Sequence, residues 1–393
     1  DIMKTLYYVE SVKQLEQSTI AFLQYIPKNI KKWELENKDF KRYVRRTVEQ
    51  RQKDVIQEGM YVYAVNDGEY EIANEDPRAL QIRRRYISLI EDLEQQQREL
   101  PQSTYDNIST LYTYHVNVGH GNHTLIVFQS NNNTHIWMVD CSDFDYIQHR
   151  KYNSNIDKCI NHVKQKFHLN SSIHIDVVML THPHYDHFSG FQYYINQGLI
   201  DANTNVYINL KYNIANHNYN NLLQRLYVLG TQIIEPFTYN SNNNINILYP
   251  DKKTFHSKLS FNNQSSVYNI RFDNKSYFVF PGDLEKEGWN LMDVRKCLPY
   301  MSQTHYYAIS HHGSINGHLR DGVCCRCINS VKDCLFPSAI TVLMGRDKAY
   351  SGIYSPKVLA DFNSRILFSE KDSLNNSCSF LEINLISGTY KNL

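Results

Sequence analysis

The sequence predicts an α/β protein, a four-layer αβ/βα sandwich that follows a mainly helical N-terminal module. Two apolar runs that indicate buried strands, 175–180 and 277–280, each lead into polar side chains that can bind metals. Strand and helix patterns alternate from about residue 111 to the C-terminus. Two halves of sheet plus helix, with ligands at the strand ends, imply two packed sheets with helices outside them. The expected units are residues 1–103 and 104–393.

The first module is predicted to be mainly helical from its apolar spacing. Residues 9–26 carry apolar side chains at helical intervals and stop at Pro27, which cannot continue a helix. A second helix is expected over 30–58, because Gly59 suits the position just after a helix end. We expect this module to bind a protein partner, nucleic acid or a second copy of the chain.

Two further elements complete the module. Residues 61–73 indicate a β-hairpin, since Asn66-Asp67-Gly68 lies between two β-rich runs and tolerates positive φ. Asp76 and Pro77 then suit the N-cap and the first position of a third helix, which runs to about residue 100.

Basic residues are concentrated in the first module. Residues 28–53 contain ten Lys or Arg against four acidic residues, and Arg83-Arg84-Arg85 adds a second cluster. Such a patch can bind the phosphates of a nucleic acid. A solvated helix face, balanced by acids elsewhere in the module, is the favoured alternative.

The totals exclude some classes of protein. Over 393 residues the net charge is +1, so the chain as a whole is not a basic nucleic-acid-binding protein. No run of about 18 apolar residues predicts a membrane span, and the N-terminus lacks the order of a secretory signal. A soluble cytoplasmic protein with no membrane partner is therefore expected.

The sandwich is predicted to begin with a β-meander. Residues 112–118, 124–128 and 135–140 indicate three strands separated by Gly-rich and Asn-rich turns. A helix is expected near 155–168, and the buried strand at 175–180 follows it.

That strand leads into four metal-competent side chains within six residues, namely His182, His184, Asp186 and His187. In an extended turn the first two imidazoles project to the same side, and the other two side chains follow at the start of a helix. This spacing suits a site for two metals. Imidazole together with carboxylate favours zinc, and manganese or iron could substitute. The alternative is a solvated His-rich loop, since the chain has 17 histidines.

The order His182-x-His184-x-Asp186-His187 resembles the signature of the metallo-β-lactamase-fold hydrolases. The turn Pro281-Gly282-Asp283 is similar to that family's Gly-Asp motif, which implies that Asp283 bridges the two metals. The stretch His311-His312-Gly313-Ser314 resembles a loop of one subgroup, the ComEC-like competence proteins. The resemblance implies that one of these two histidines completes the second metal site. We favour His312 as the ligand and His311 as a proton donor or phosphate-holding residue.

The same resemblance assigns residues to the surroundings of the metals. Asp140 matches an early aspartate that usually orients a metal-bound histidine. Residues 116–122 are similar to a Gly-rich turn of the subgroup, and residues 262–267 are similar to its Asn-Asn-x-Ser strand. The residues expected beside the metals or in contact with substrate are Asp140, His120, Asn122, Asn263 and Ser314.

The resemblance also implies how the ligands divide between two metals. The two sets are His182, His184 and Asp283 for one metal, and Asp186, His187, His312 and Asp283 for the other. The third histidine that true β-lactamases use for the first metal is missing, and His256 and Asn263 are the nearest candidates. Asp186 and His311 are the residues expected to act directly in catalysis.

One cysteine cluster indicates a second metal site. Cys324, Cys327 and Cys334, with His318 nearby, could form a small structural zinc site. The spacing lacks a second Cys-x-x-Cys pair, so a reduced Cys-rich surface loop is the favoured alternative.

These observations favour a hydrolase that uses two divalent metal ions. Two cations roughly 3.5 to 4 Å apart can lower the pKa of a bridging water to near 7 and clamp the oxygens of a phosphodiester. The resemblance implies a phosphodiesterase, and a nuclease that cleaves DNA or RNA, with a role as a defence effector, is the leading hypothesis. A hydrolase of a small ester, lactone or cyclic nucleotide is the second. A non-enzymatic scaffold with a degenerate metal site is the third.

Overall fold

The chain forms two compact units, the smaller composed of Asp1–Gln96 and Lys211–Leu229 and the larger of Gln97–Leu210 and Gly230–Leu393. The computed structural model describes residues 4–14, 19–28, 43–49, 56–95, 105–169, 173–212, 217–253, 255, 259–292, 294–320 and 329–393.

The smaller unit is built on a five-stranded antiparallel sheet with the strand order β3-β2-β1-β4-β5. The strands are β1 (Leu6–Gln14), β2 (Thr19–Ile26), β3 (Tyr43–Val48), β4 (Tyr61–Asn66) and β5 (Glu69–Ile72). The helices of this unit are α1 (Pro77–Gln95) and α5 (His217–Leu229). On one face of the sheet, Leu6 and Tyr8 pack against Ile82 of α1, and on the other face Val9 and Leu23 are buried.

The helices predicted over 9–26 and 30–58 are wrong where the structure describes these residues, because β1, β2 and β3 lie there instead. Both faces of β2 and of the described part of β1 are buried, so these strands carry apolar runs that fit helical spacing as well as strand alternation. Residues 29–42 and 50–55 of the second predicted helix lie outside the described residues. In its described part the module is therefore mainly a sheet and not mainly helical.

The predicted hairpin is confirmed, and so is the predicted third helix as far as Gln95; its predicted last turn, residues 96–100, lies outside the described residues. Strands β4 and β5 pair antiparallel around the turn at 66–69. Helix α1 begins at Pro77, and Asp76 caps it, because the Asp76 carboxylate accepts the backbone N–H of Arg78 at 2.7 Å.

In the larger unit, two sheets pack face to face. One has the strand order β13-β12-β11-β8-β7-β6-β20-β21 and the other has the order β14-β15-β16-β17-β18-β19. The first consists of β6 (Ile108–Val116), β7 (His123–Ser130), β8 (Asn133–Cys141), β11 (Val177–Met179), β12 (Asn205–Tyr207), β13 (Gln232–Ile234), β20 (Phe380–Asn384) and β21 (Tyr390–Asn392). The second consists of β14 (Ile245–Tyr249), β15 (Val267–Phe272), β16 (Lys275–Phe280), β17 (Tyr306–Ala308), β18 (Ile340–Leu343) and β19 (Ile366–Phe368). Strands β9 (Phe144–Asp145) and β10 (Arg150–Lys151) form a separate ribbon.

A shared apolar core joins the two sheets. Phe128 and Trp137 of the first sheet contact Phe272 of the second, with ring centroids 4.7 and 5.5 Å apart. Tyr207 and Tyr268 meet across the same interface at 6.2 Å. Burial of these large side chains is the main stabilising contribution to the sandwich.

Helices cover the outer faces of both sheets. On the first sheet, His162 of α2 contacts Tyr114 of β6. On the second sheet, Trp289 and Met301 pack in one cluster with Val279 of β16. The helices of the larger unit are α2 (Asn153–Lys166), α3 (Tyr185–Phe188), α4 (Phe191–Asn196), α6 (Lys286–Leu291), α7 (Val294–Met301) and α8 (Pro356–Phe362). The predicted α/β fold, a four-layer αβ/βα sandwich, is confirmed for the larger unit.

No helix among the described residues combines the length and the apolar character that crossing a membrane requires.

The loops that carry the predicted ligands follow parallel strands. Strand β11 is parallel to β8 and β12, and β16 is parallel to β17, so their carboxyl ends deliver the loops to the edges of the two sheets. The loops touch at Gly282, where φ is +59° and a Cβ atom would lie 2.5 Å from the side chain of Thr181. Only glycine permits this approach between the loop after β16 and the loop after β11.

Candidate metal centre

Six buried side chains form two groups of three, and within each group the candidate ligand atoms lie within 4.8 Å of one another. The first group is His120, Asp186 and His312, and the second group is His182, His187 and Asp283. None of the six is more than 4% exposed. Buried imidazoles and carboxylates in this proportion suit divalent metals such as zinc.

The first group converges on one carboxylate oxygen. His120 Nε2 lies 3.4 Å from Asp186 Oδ2, and His312 Nε2 lies 3.5 Å from the same oxygen. The two imidazole centroids are 4.2 Å apart. Three side chains from well-separated parts of the chain therefore meet at one point.

The second group is connected to the first through Asp283. His187 Nε2 lies 3.3 Å from Asp283 Oδ1, and the His182 and His187 ring centroids are 4.1 Å apart. The other oxygen, Asp283 Oδ2, lies 3.5 Å from His312 Nε2. Asp283 thus presents one carboxylate oxygen to each group.

Several atoms of the two groups are buried without a hydrogen bond. Within the described residues, His187 Nε2, His312 Nε2 and Asp283 Oδ1 have no hydrogen-bond partner. A buried polar atom without a hydrogen bond costs free energy of folding unless a ligand or ion satisfies it. Cations bound between the imidazoles and the carboxylate would satisfy all three atoms, so the residues fit divalent metals.

Asp140 holds one ligand in position. It lies in β8 with φ 50°, and its Oδ2 is 2.7 Å from His187 Nδ1. Its carboxylate also accepts the backbone N–H and the hydroxyl of Thr181, each at 2.8 Å. These contacts leave His187 Nε2 turned towards the second group. Burial raises the pKa of Asp140, although these bonds act in the opposite direction.

The adjacent histidines 311 and 312 point in different directions. Both have φ 48°, in the left-handed region that residues other than glycine seldom adopt. His312 Nδ1 lies 3.1 Å from the carbonyl oxygen of Met344, so its Nε2 faces the first group. His311 Nδ1 instead lies 3.1 Å from Glu285 Oε1. The turn therefore supplies one candidate ligand and one imidazole that stands beside the groups.

A tight turn carries His120 into the first group. The backbone N–H of His120 donates to Asp145 Oδ2 at 3.2 Å, and Arg346 Nε donates to the same oxygen at 3.1 Å. Gly119 has φ +71°, and a Cβ atom there would lie 2.7 Å from that oxygen. The turn thus packs closely against the buried Asp145 carboxylate. Its position is set by the ion pair of Asp145 with Arg346, which the sequence does not reveal.

The structure divides the ligands differently from the sets that the resemblance implies. His184 Nδ1 lies 3.0 Å from His182 Nε2, but His184 belongs to neither group of three. His187 lies with His182 and Asp283 instead of with Asp186. His120, expected beside the metals or in contact with substrate, lies within a ligand group.

The other predicted neighbours of the metals shape the surrounding loops. The backbone N–H of Asn122 donates to the Asp186 carbonyl at 3.0 Å. The Asn263 amide contacts Ser260 Oγ at 3.0 Å and accepts the Gly288 N–H at 2.8 Å. Ser314 Oγ accepts the backbone N–H of Asn316 at 3.3 Å. None of these contacts involves a side chain of the two groups. His256, the other candidate for a third histidine, lies outside the described residues.

Sequence reasoning missed two residues at the centre. Glu285 lies beside His311 and accepts the amide of Asn262 at 3.1 Å. It follows Asp283 by two positions, so an acid so near the Gly-Asp turn was a usable signal. The Tyr350 hydroxyl lies 3.4 Å from His311 Nε2, a contact between residues 39 apart that no local pattern indicates.

The protonation states of the groups follow from burial and from their neighbours. Burial alone would raise the pKa of Asp186 and of Asp283, but the adjacent imidazoles, His312 first among them, lower both. Burial together with neighbouring imidazoles lowers the pKa of His182. Burial lowers the pKa of His187 too, but two flanking carboxylates raise it above its ordinary value. Ionised carboxylates and a neutral imidazole at His182 are the forms that bind metals.

The predicted structural zinc site is described only in part. Cys324 and Cys327 lie outside the described residues. Cys334 is buried, with the Arg320 guanidinium 3.8 Å from its sulfur. His318 Nε2 lies 2.7 Å from Asp361 Oδ2. The zinc site therefore stays a prediction.

No protein-family model matches the chain, and no curated protein matches it either. Among solved structures, it is similar to one described as "Crystal Structure of a New Diphosphatase from the PhnP Family". The sequence identity is 10%, the TM-score is 0.34, and the alignment covers 70% of this chain and 98% of that chain. A similarity this distant carries no information on chemistry.

Proposed function

We propose that this chain is a hydrolase of phosphate esters that holds two divalent metal ions, zinc being favoured and manganese the alternative. The observation that carries the proposal is the position of Asp283, whose two oxygens lie 3.3 Å from His187 and 3.5 Å from His312. A carboxylate shared by two ligand groups suits a pair of ions roughly 3.5 to 4 Å apart better than one structural ion.

Each group of three would hold one ion. When bound, such a pair supplies a water activated for attack at neutral pH and positive charge that clamps phosphoryl oxygens. Asp140 keeps His187 oriented, and the Met344 carbonyl does the same for His312. Because all six ligands are buried, the chain also limits the access of bulk water, which strengthens electrostatic interactions at the centre.

The position of His311, with Glu285 beside it, supports a direct role for His311 in the reaction. His311 Nε2 lies 3.9 Å from Asp283 Oδ2, at the side of the ligand groups, and Glu285 contacts the other ring nitrogen. A carboxylate at Nδ1 fixes the orientation of the imidazole, so that Nε2 faces the centre. His311 is therefore assigned to holding a phosphoryl oxygen or to donating a proton to the leaving group.

DNA or RNA is the favoured substrate, on the basis of the resemblance to the ComEC-like proteins, and a defence role belongs to the same proposal. Most of the basic stretch 28–53 lies outside the described residues. In the Arg83–Arg85 cluster, Arg83 donates to the carbonyl of Asn74 and its guanidinium lies over the Tyr61 ring. Arg84 and Arg85 are exposed on α1 and offer charge for a phosphate backbone.

The test combines a metal count with a substrate panel. Purified protein is analysed for metals and incubated with labelled single-stranded and double-stranded DNA and RNA, and with bis-(p-nitrophenyl) phosphate, in Zn²⁺ or Mn²⁺. We expect about two metals per chain and cleavage of a phosphodiester that is lost in Asp283→Asn and kept in His149→Ala, a change at an exposed histidine. A metal-loaded protein that cleaves no phosphodiester, or equal cleavage by Asp283→Asn, would contradict the proposal.

The burial of the centre favours a second candidate, a hydrolase of a compact substrate such as a cyclic nucleotide, a small ester or a lactone. Ligands that are at most 4% exposed are easier for a small molecule to approach than for a duplex. Turnover of bis-(p-nitrophenyl) phosphate without cleavage of any polymer would favour this candidate. A single ion that leaves only on unfolding would instead favour the scaffold hypothesis.

A further inference from the structure

Tyr350 lies beside His120 of the first ligand group and beside His311. Its ring is 5.1 Å from the ring of His120, at an interplanar angle of 77°. Its hydroxyl is 3.4 Å from Nε2 of His311, which in turn is 3.9 Å from Asp283 Oδ2. The phenol therefore contacts a member of the first group with its ring, and its hydroxyl lies beside His311, which stands next to Asp283 of the second group.

We propose that Tyr350 contacts the substrate and that its hydroxyl donates a hydrogen bond to an oxygen of the phosphoryl group held at the centre. This inference rests on the proposed function, since it takes a phosphate ester as the ligand. Tyr350 belongs to neither ligand group, and its phenol hydroxyl can donate one hydrogen bond.

The charges around Tyr350 explain why a donor is needed there. Asp283 and Glu285 flank the His311 ring that the phenol approaches, with carboxylate oxygens 3.9 and 3.1 Å from its two nitrogens, and carboxylate oxygens accept hydrogen bonds. A phosphoryl oxygen, which is also an acceptor, therefore needs a donor from another side chain. A donor fixed in advance towards an oxygen that gains charge during the reaction is an effective form of catalytic stabilisation.

The loop that carries Tyr350 is fixed at both ends of its approach to the centre. The carbonyl of Met344, one residue after β18, holds His312. Tyr354 donates its backbone N–H to the His312 carbonyl at 3.1 Å, a bond that does not depend on its side chain. Tyr350 lies between these two anchors, so its hydroxyl is held near the centre before any substrate arrives.

Tyr354 also supplies a matched control. It is a buried tyrosine four positions away, but its hydroxyl donates to the Gly345 carbonyl and lies 3.3 Å from Glu370. Tyr350→Phe and Tyr354→Phe each remove one hydroxyl from the same loop. Only the first removes the donor that the proposal assigns to substrate.

The experiment measures binding of inorganic phosphate to the full-length, Co²⁺-loaded protein through the change in its visible absorption spectrum. We expect Tyr350→Phe to weaken phosphate binding roughly tenfold, the loss typical of one hydrogen bond to a charged group, with the cobalt content unchanged. Tyr354→Phe should bind phosphate as the unmodified chain does. Equal phosphate affinity in Tyr350→Phe, loss of cobalt from it, or no binding by the unmodified chain would overturn the inference.

A second pair of variants covers the case in which Tyr350→Phe does not fold. Tyr350→Gln keeps a hydrogen-bond donor, whereas Tyr350→Leu does not, so the first should retain more phosphate affinity. The reverse order would overturn the inference. The readout is phosphate binding and not turnover, so this test is independent of the proposed function. A chain that hydrolyses no ester, but loses phosphate affinity when the Tyr350 hydroxyl is removed, would contradict the proposed function alone.

Discussion

The two ligand groups are assembled in opposite ways. The first joins three segments that are far apart in the chain, those of His120, Asp186 and His312. The second takes His182 and His187 from one loop and adds only Asp283 from elsewhere. A group that draws two ligands from one loop keeps most of its geometry whenever that loop forms, whereas the first needs three separate placements at once. We therefore expect the first group to bind metal more weakly and to be easier to disrupt.

The largest expected effect is that of Asp283→Ala, because this carboxylate faces both groups. The variant should lose both ions and lower the rate of phosphodiester hydrolysis by roughly 10²–10³-fold or more. Elemental analysis and initial rates with bis-(p-nitrophenyl) phosphate check this. If the variant kept two ions, the two groups would be independent sites and not one centre.

The next largest effect compares His120→Ala with His182→Ala, one from each group. His120→Ala should leave about one ion per chain, held by the second group. In the unmodified chain, a graded increase of chelator should remove the ions in two steps, and His120→Ala should abolish the first of them. If His182→Ala abolished that step instead, the inferred order of affinity would be inverted.

Asp140→Asn should affect the second group alone, because the group member that Asp140 contacts is His187 of the second group. Loss of a carboxylate that orients a metal-bound histidine typically costs about 10- to 100-fold in metal affinity. Competitive titration with a metal indicator measures this separately for each ion. Equal weakening of both ions would show that the groups respond as one unit.

A smaller effect is expected from Arg346→Ala. Arg346 donates to Asp145, which holds the turn of His120, but the arginine is 22% exposed and its ion pair is partly screened by water. Metal affinity of the first group should fall by a few-fold at most, with no change at the second. The same indicator titration checks this, and a larger loss at the second group would contradict the link through His120.

The smallest effect concerns Asp76, a buried carboxylate of the small unit that is bonded to protein donors and lies in neither group. Burial would raise its pKa, but hydrogen bonds from Arg78 and Tyr63 lower it to about 2. Because this is below the unfolded value of about 3.9, the ionised carboxylate stabilises the fold above that pH. The stabilisation is lost as the pH falls towards the folded pKa.

Asp76→Asn can still cap α1, so it isolates the charge. We expect it to cost about 1 kcal/mol in the free energy of unfolding near neutral pH and progressively less in acid, as measured by urea unfolding. The metal content should not change. A cost that is the same at every pH would rule out the linkage to the Asp76 charge.

Local patterns could predict the loops of the centre but not their division into groups. The spacing of His182 to His187, the turn at Asp283 and the pair His311-His312 each follow a strand, and parallel strands deliver their carboxyl ends to one edge. Which imidazole meets which carboxylate depends on contacts across the fold. His120 approaches Asp186 through a turn held by Asp145, and no short-range signal encodes that contact.

The small unit was predicted less well for a different physical reason. A strand buried on both faces has no polar side to reveal its period of two, and the buried runs of β1 and β2 matched a helix equally well. The aromatic and β-branched residues of those runs were the better signal. The hairpin at 61–73 and the start of α1 were predictable because turn and cap residues act locally.

Gly282 has no side chain, yet the whole centre depends on it. A Cβ atom at this position would lie 2.5 Å from the side chain of Thr181, which bonds Asp140 and precedes His182, and the next residue along the chain is Asp283. The methyl group added in Gly282→Ala would push apart the loop that carries Asp283 and the loop that carries His182 and His187. The second group would be separated although none of its residues is changed. The residue at position 282 therefore controls whether the centre can form, although it takes no part in the chemistry.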